Sequence, residues 1–286
     1  MTATGAQHFS LTDYYLTSLV VGARCLNSPY TREAAGRIVN PLSYPRYMEY
    51  RLALDGLAPF DRLRVLDVGS PKLPALLIGQ NASTELYATD IRDYFVGPTS
   101  HFLRTLGQGD RIGRSLHLEV QDARRLSYPD AYFDRIFSIS VIEHIPSSGD
   151  SEALRELARV LKPGGMLSLT VPFREAGYYE EFVQGDVYER AAQDGGTFYQ
   201  RHYDMPSLMA RLIEPSGLRV DDITWFGEPG VRFERCWNRI PMRWKLPLLW
   251  AQPFIARMFL KRLTTEQRGA AVGVAVRLVR AADSAA

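Results

Sequence analysis

Short apolar runs separated by longer mixed segments dominate the middle of the chain. The run Leu63–Gly69 is apolar at most positions and ends in Asp-Val-Gly, which is typical of a buried parallel strand. Six further runs are predicted as strands: Glu85–Thr89, Leu116–Gln121, Arg135–Ser140, Met166–Val171, Leu218–Phe226 and Ala270–Val279. Because most intervening segments are long enough for crossovers, the pattern predicts an α/β fold with a parallel sheet covered by helices on both faces.

Helical periodicity is clearest over Asp150–Lys162, where apolar residues share one face and Pro163 begins a Pro-Gly-Gly stop. A second helix is predicted over Met205–Glu214, and the first 60 residues indicate helices interrupted by prolines. We therefore expect four regions: a helical lid or cap over 1–62, an α/β core over 63–227 with a substrate-side loop at 173–203, an insertion over 228–268, and a last core strand with a tail over 269–286.

Acidic residues follow three successive predicted strands. Asp67 comes just before Gly69, Asp90 follows the second strand, and Asp122 follows the third. Ligands of open parallel sheets bind outside the carboxyl ends of the strands, so these acids are predicted to meet at one site. Asp90 is placed to accept hydrogen bonds from both hydroxyls of a ribose, and Asp122 from the exocyclic amine of an adenine.

The order and spacing of five motifs resemble those of class I S-adenosylmethionine (SAM)-dependent methyltransferases, in particular the small-molecule branch that includes ubiquinone-biosynthesis enzymes. The motifs are Val65-Leu-Asp-Val-Gly-Ser70, Tyr87-Ala-Thr-Asp90, Val120-Gln-Asp-Ala123, Phe133-Asp-Arg-Ile-Phe-Ser-Ile-Ser-Val-Ile-Glu-His144 and Leu161-Lys-Pro-Gly-Gly165. The resemblance implies a Rossmann-like, doubly wound sheet of seven strands with the last strand antiparallel. It also implies SAM as cofactor and S-adenosylhomocysteine as product.

The resemblance assigns cofactor binding to a set of residues at the strand ends: Asp67, Gly69, Ser70, Asp90, Ile91, Asp122, Ala123 and Ser140. Tyr14 and Tyr15 are candidates for a lid over the cofactor, with helix packing as the alternative. The loop after Gly69 departs from the family pattern, because Pro71 and Leu73 occupy positions where two more glycines are usual. Pro71 offers no N–H, so we interpret the loop as a modified cofactor loop.

His202 is the first candidate for a general base, with Tyr199 beside it and His144 as a second histidine near the acceptor. The fourth strand ends in serines rather than in a cluster of acids, and no Cys/His spacing indicates zinc, so no metal is predicted. We expect metal-independent methylation of a small molecule, with oxygen ahead of carbon and nitrogen as the acceptor atom. A non-catalytic SAM-fold scaffold and a methylation-coupled cyclase remain alternatives.

The net charge of +2 argues against a nucleic-acid partner, but the charge is unevenly distributed. Residues 228–268 contain nine basic and three acidic residues, interleaved with tryptophan, phenylalanine and methionine. This pattern is typical of a peripheral membrane contact, of a lid over an apolar or amphipathic acceptor, and of a homodimer interface, and it does not separate the three. Two distant cysteines and the lack of a leader-like N-terminus predict a cytoplasmic protein.

Overall fold

A mixed eight-stranded sheet forms the centre of the computed structural model, which describes residues 9–185 and 196–282. The strand order is β3-β2-β1-β4-β5-β10-β8-β9, and β6 pairs with β7 in a separate two-stranded sheet. The strands are β1 Arg64–Val68, β2 Glu85–Asp90, β3 Leu116–Val120, β4 Phe133–Ile139, β5 Leu161–Pro172, β6 Tyr179–Val183, β7 Thr197–His202, β8 Arg219–Gly227, β9 Lys261–Arg262 and β10 Ala271–Val279.

The five strands from β3 to β5 are parallel, as the hydrophobic pattern predicts. In β1, Val65, Leu66 and Val68 are buried, because helices cover both faces of the sheet. The chain runs outward from β1 to β3 on one side and from β4 to β5 on the other. The strand order therefore reverses between β1 and β4, and this reversal opens a crevice at their carboxyl ends.

The edge of the sheet beyond β5 confirms one expectation and corrects another. β10 is antiparallel to both β5 and β8, so the last strand is antiparallel as the resemblance implies. The count of seven strands is wrong, because β9 adds an eighth by pairing with Phe226 and Gly227. A two-residue strand carries no readable alternation of polar and apolar positions, so the pattern does not reveal it.

Eleven α-helices lie among the described residues, and they pack on both faces of the sheet. The helices are α1 Leu11–Arg24, α2 Thr31–Val39, α3 Arg46–Asp55, α4 Leu73–Ile78, α5 Val96–Thr105, α6 Gly149–Val160, α7 Met205–Leu208, α8 Glu214–Ser216, α9 Phe233–Arg239, α10 Met242–Lys245 and α11 Gln252–Phe259. Helix α1 begins with a capping box between Ser10 and Asp13. No helix in residues 9–185 or 196–282 is long and apolar enough to cross a bilayer.

Several predicted elements differ from the observed ones. The strand predicted over Met166–Val171 is β5, which covers Leu161–Pro172 and includes the predicted Pro-Gly-Gly stop. Helix α6 ends at Val160 rather than at Lys162, because Leu161 already pairs with Phe133 of β4. The predicted helix Met205–Glu214 is α7 and α8 joined by a π-helical turn, Met209–Ile213. The predicted loop 173–203 contains the antiparallel pair β6 and β7, while residues 186–195 lie outside the described residues. The four-region division itself stays a prediction.

Candidate active site

A cleft of about 1020 Å³ opens at the carboxyl ends of β1, β2 and β4, between the sheet and the N-terminal helices. Eight of the residues predicted from the sequence line it: Gly69, Ser70, Asp90, Ile91, Asp122, Ala123, Ser140 and His144. Residues of α2 and of the segment before α3 line the opposite wall. The sheet reversal therefore brings together side chains that are separated by up to 75 positions along the chain.

Gly69 begins the loop that follows β1 and adopts a φ of 67°. A Cβ at this position would lie 2.7 Å from Cγ1 of Val141, so both conformation and space require glycine. The Gly69 N–H donates to the carbonyl of Thr89, and the Ile139 N–H donates to Oγ of Ser70. These bonds fix the loop against β2 and β4 at the floor of the cleft.

Asp67 and Lys72 form a buried ion pair beneath this loop. The Lys72 ammonium lies 3.2 Å from Oδ2 of Asp67 and donates to the carbonyl of Thr89 at 2.8 Å. Burial raises the pKa of the Asp67 carboxyl, and the charge of Lys72 acts in the opposite direction. Asp67 is fully buried and lies behind the cleft, where it accepts from the Ser70 N–H, so it orders the loop rather than lining the cavity.

Lys72 is a feature that sequence reasoning missed. From the loop after Gly69 the ammonium turns inward, where it also lies 4.8 Å from the centre of the Phe95 ring. The family pattern uses glycines here, and Lys72 instead holds the loop through side-chain bonds. A basic residue five positions after a strand-ending aspartate was the available signal.

Asp90 and Ile91 stand together at the end of β2. Oδ1 of Asp90 accepts from the Arg92 N–H, and Oδ2 accepts from the Tyr94 hydroxyl at 3.2 Å. The neighbouring Ile91 side chain is 59% exposed and lines the cleft. An apolar side chain beside a carboxylate suits a ligand that combines a flat apolar surface with hydroxyl groups.

Asp122 lies at the end of β3 and is engaged by Arg124. The guanidinium contacts both carboxylate oxygens, with an Nη2 to Oδ2 distance of 2.6 Å, and these hydrogen bonds lower the pKa of Asp122. A carboxylate has about four acceptor directions, so Asp122 keeps capacity for a further donor. Ala123 beside it offers a small apolar contact to the cleft.

Ser140 and Glu143 form a second polar group at the end of β4. Ser140 has a φ of 54°, and its hydroxyl donates to Oε1 of Glu143 at 2.6 Å. Glu143 is fully buried, and burial raises the pKa of its carboxyl to about 7. Its Oε2 has no hydrogen-bond partner within the described part of the chain.

His144 is the predicted histidine that reaches the cleft. Its Nδ1 lies 2.7 Å from the carbonyl oxygen of Tyr199, which can only accept a hydrogen bond. In the neutral ring Nδ1 therefore carries the hydrogen and Nε2 the lone pair. Tyr199 contributes this carbonyl and a ring 5.1 Å from the imidazole, but its side chain is not among the described residues that line the cleft.

The structure does not bring His202 to the cleft. The pairing of β6 with β7 places its Nε2 3.1 Å from Oε2 of Glu181, and its ring stacks on Tyr179. The signal that favoured His202 was its place before a helix, and hairpin pairing decides the direction of the side chain instead.

Tyr14 and Tyr15 also lie outside the described lining of the cleft. Tyr14 is 1% exposed and packs 5.2 Å from the ring of Tyr50 in the core. The Tyr15 hydroxyl donates to the carbonyl of Trp250, and its ring packs against Phe254. Both contacts correspond to the helix-packing alternative rather than to a lid.

Two arginines in the N-terminal wall were missed at the sequence level. Arg37 of α2 lines the cleft with its guanidinium over the ring of Phe102, and no carboxylate among the described residues lies within 4 Å of it. Burial lowers the pKa of Arg37. Arg46 lines the same wall and is paired with Glu49. Only the packing of α2 and α3 over the sheet brings these cations to the cleft, so no local pattern reveals them.

Comparisons with known proteins match the part of the chain that forms the sheet side of the cleft to a recognised domain. Residues 66–169 match the family model of a methyltransferase domain. The chain is 30% identical over 129 residues to sterol 24-C-methyltransferase of Eremothecium gossypii, a match that covers 45% of this chain and 32% of that protein. It is 27% identical over 128 residues to ubiquinone biosynthesis O-methyltransferase of Xanthomonas axonopodis pv. citri, covering 44% and 51%. The matches thus span between a third and a half of these relatives.

A solved structure extends the likeness to most of the chain. Geranyl diphosphate C-methyltransferase from Streptomyces coelicolor has a TM-score of 0.54 at 11% identity, and the alignment covers 91% of this chain and 86% of that one. At this identity the likeness concerns the fold, which is α/β and Rossmann-like in both.

Proposed function

The chain carries a class I SAM-dependent methyltransferase domain, and from that premise we propose that it transfers the methyl group of SAM to a small amphipathic acceptor. The observation that carries the proposal is the meeting of Gly69, Asp90, Asp122 and Ser140 around one cleft at the sheet reversal. A volume of about 1020 Å³ is at the upper end of the range for ligand pockets, and it leaves room for an acceptor beside the cofactor.

The residues of the cleft match the chemistry of SAM group by group. Asp90 would accept from the two ribose hydroxyls, Ile91 would pack on the adenine, and Asp122 would accept from its amine. The glycine at position 69 allows close approach of the backbone to the methionyl part. Arg37, which has no carboxylate partner among the described residues, would pair with the carboxylate of the cofactor or of the acceptor.

SAM supplies a methyl group on a sulfonium, which is a good leaving group. The task of this chain is therefore alignment, exclusion of water and, for a hydroxyl acceptor, removal of a proton. His144 is the group we propose for that proton, because the Tyr199 carbonyl holds its ring with Nε2 as the basic nitrogen. This assignment replaces His202 and favours oxygen as the acceptor atom.

Calorimetric titration with SAM and S-adenosylhomocysteine tests the cofactor part. We expect Asp90→Asn to weaken binding of both roughly 10- to 100-fold, because hydrogen bonds to a charged acceptor are the strong ones. Asp93→Asn is the matched control, since Asp93 is exposed and is not among the described lining residues. No detectable binding of either compound to the unaltered protein would overturn the proposal.

A scaffold without turnover is the second candidate, and Pro71 is the observation that favours it. Proline at this loop position removes a backbone donor that the family pattern provides. A methyl-transfer assay on hydroxylated amphipathic acceptors separates the two candidates. Cofactor binding with turnover that His144→Gln lowers at least tenfold supports the enzyme, and binding without turnover on any acceptor supports the scaffold.

A further inference from the structure

The segment between β8 and β10 is firmly attached to the body of the protein on one side. Oε1 of Gln252 accepts from the Tyr44 N–H at 2.9 Å, and the Tyr44 hydroxyl donates to the buried carboxylate of Glu228. The rings of Phe233 and Phe259 stack at 5.1 Å. The inward side of the segment is thus packed like a core and has a fixed orientation.

The other side of the same segment exposes large apolar side chains. Within residues 242–258, seven of them have exposed fractions between 46% and 68%: Met242, Trp244, Leu246, Leu248, Trp250, Phe254 and Met258. Single exposed apolar residues are ordinary on protein surfaces, but seven in 17 positions are not. The ring centres of Trp250 and Phe254 lie 6.4 Å apart, and Tyr15 of α1 contacts both residues. The next residue of α1, Leu16, is 52% exposed.

The charge of this surface is of one sign. Residues 235–265 contain seven basic residues and no acidic residue: Arg235, Arg239, Arg243, Lys245, Arg257, Lys261 and Arg262. All but Lys245 are exposed, and among the described residues only Arg262 has a carboxylate within 4 Å, Asp55 at 4.0 Å. Exposed tryptophans among cations that mostly lack a carboxylate partner are the composition that the interface of an anionic bilayer favours.

We propose that residues 235–262 dock on an anionic lipid surface, with the seven exposed apolar side chains entering the headgroup region and the arginines contacting lipid phosphates. A symmetric dimer through this surface would place seven cations against the same seven cations, which costs energy. Attachment at the membrane surface also agrees with the helices of the described ranges, none of which is long and apolar enough to cross a bilayer. The docking does not depend on methyl transfer.

Vesicle flotation with the full chain, in 0.1 M salt and without cofactor, tests the docking. The two probes are phosphatidylcholine vesicles and the same vesicles with 30% phosphatidylserine. We expect at least tenfold tighter binding to the anionic vesicles and loss of that advantage in 0.5 M salt. Vesicles that carry brominated lipid tails should quench tryptophan emission of the unaltered protein, which tests insertion without any variant.

Two variants with one control locate the surface. Arg235→Gln/Arg239→Gln/Arg243→Gln should weaken anionic binding about 100-fold, since each basic residue near the surface contributes about fivefold. Trp244→Ser/Trp250→Ser should weaken it at least tenfold and abolish most of the quenching. The control Arg114→Gln/Arg125→Gln/Arg155→Gln removes three exposed arginines elsewhere and should retain binding within about threefold.

Three results would overturn the docking. One is no binding of the unaltered protein to anionic vesicles in 0.1 M salt. Another is an equal loss of vesicle binding in the control variant, which would indicate that binding depends on the net charge of the protein and not on this surface. The third is a dimer in sedimentation velocity that Trp244→Ser/Trp250→Ser dissolves, without vesicle binding, which would assign the surface to a second copy of the chain.

Discussion

Glu143 offers the sharpest test of the electrostatics at the cleft. Its carboxyl is fully buried, accepts one hydrogen bond from Ser140, and has an Oε2 without a partner among the described residues. Burial raises its pKa from 4.5 to about 7, against the lowering effect of hydrogen bonds from Ser140 and the backbone, and Glu49 and Arg46 have smaller, opposite effects. At pH 8 the folded protein therefore holds a carboxylate in a site that favours the neutral acid.

The perturbation is Glu143→Gln, which keeps the shape and removes the titration. Between pH 4.5 and 7 the folded state binds the Glu143 proton and the unfolded chain releases it, so the unaltered protein loses stability as pH rises through this window. From these two pKa values, the free energy of unfolding of the variant minus that of the unaltered protein should rise by about 2–3 kcal/mol between pH 5 and pH 8.

Urea unfolding at pH 5, 6, 7 and 8 measures this difference, and comparison across pH cancels any constant cost of the amide. Glu266→Gln, at an exposed position, is the control: it shows how the loss of one negative charge alone changes the free energy of unfolding with pH. A difference that stays within about 0.5 kcal/mol of its pH 5 value would refute the reasoning, because it would mean that Glu143 ionises alike in the folded and unfolded chains.

Three further changes test the loop and the N-terminal helix. Gly69→Ala should lower the free energy of unfolding by about 1–2 kcal/mol, because alanine is strained at a φ of 67°, and should weaken SAM binding at least tenfold by calorimetry. Gly217→Ala is the control: its φ is 64° and no atom lies within 4 Å of the added Cβ, so it should show the loss of stability without the loss of SAM binding. Equal SAM binding by both variants would contradict the proposed close approach of the Gly69 backbone to SAM. Lys72→Met should lower the free energy of unfolding in urea by about 3–5 kcal/mol, because it leaves the Asp67 carboxylate buried without its cation. A loss below 1 kcal/mol would show that the pair is dispensable. Tyr14→Phe should raise that free energy by about 1 kcal/mol, since its buried hydroxyl has no partner among the described residues, and should leave SAM affinity unchanged. A fall in SAM affinity would instead support a role for Tyr14 in cofactor binding.

The sequence predicts the parts of the site that depend on local pattern. Gly69, Asp90 and Asp122 each follow an apolar run, and strand ends of a parallel sheet meet at one edge whatever the packing around them. Their place in the cleft was therefore readable from the order of motifs. What each binds remains a proposal.

Residues that depend on tertiary packing were not readable in this way. Arg37 reaches the cleft only because α2 packs over the sheet, and the inward turn of Lys72 follows from its pairing with a buried aspartate. Our proposal of His144 in place of His202 as the general base has the same origin. Pairing of β6 with β7 directs the His202 ring away from the cleft, and the Tyr199 carbonyl of β7 orients the His144 ring.

The position of β10 has a consequence for how the chain folds. This strand is the last of the sheet in sequence, yet it lies between β5 and β8 and pairs with both along most of its length. During vectorial synthesis β8 can therefore join the rest of the sheet only after residues 271–279 have left the ribosome, about 50 positions later. Until then the outer edge of β5 is unpaired, which makes that edge the place where premature association between nascent chains would begin.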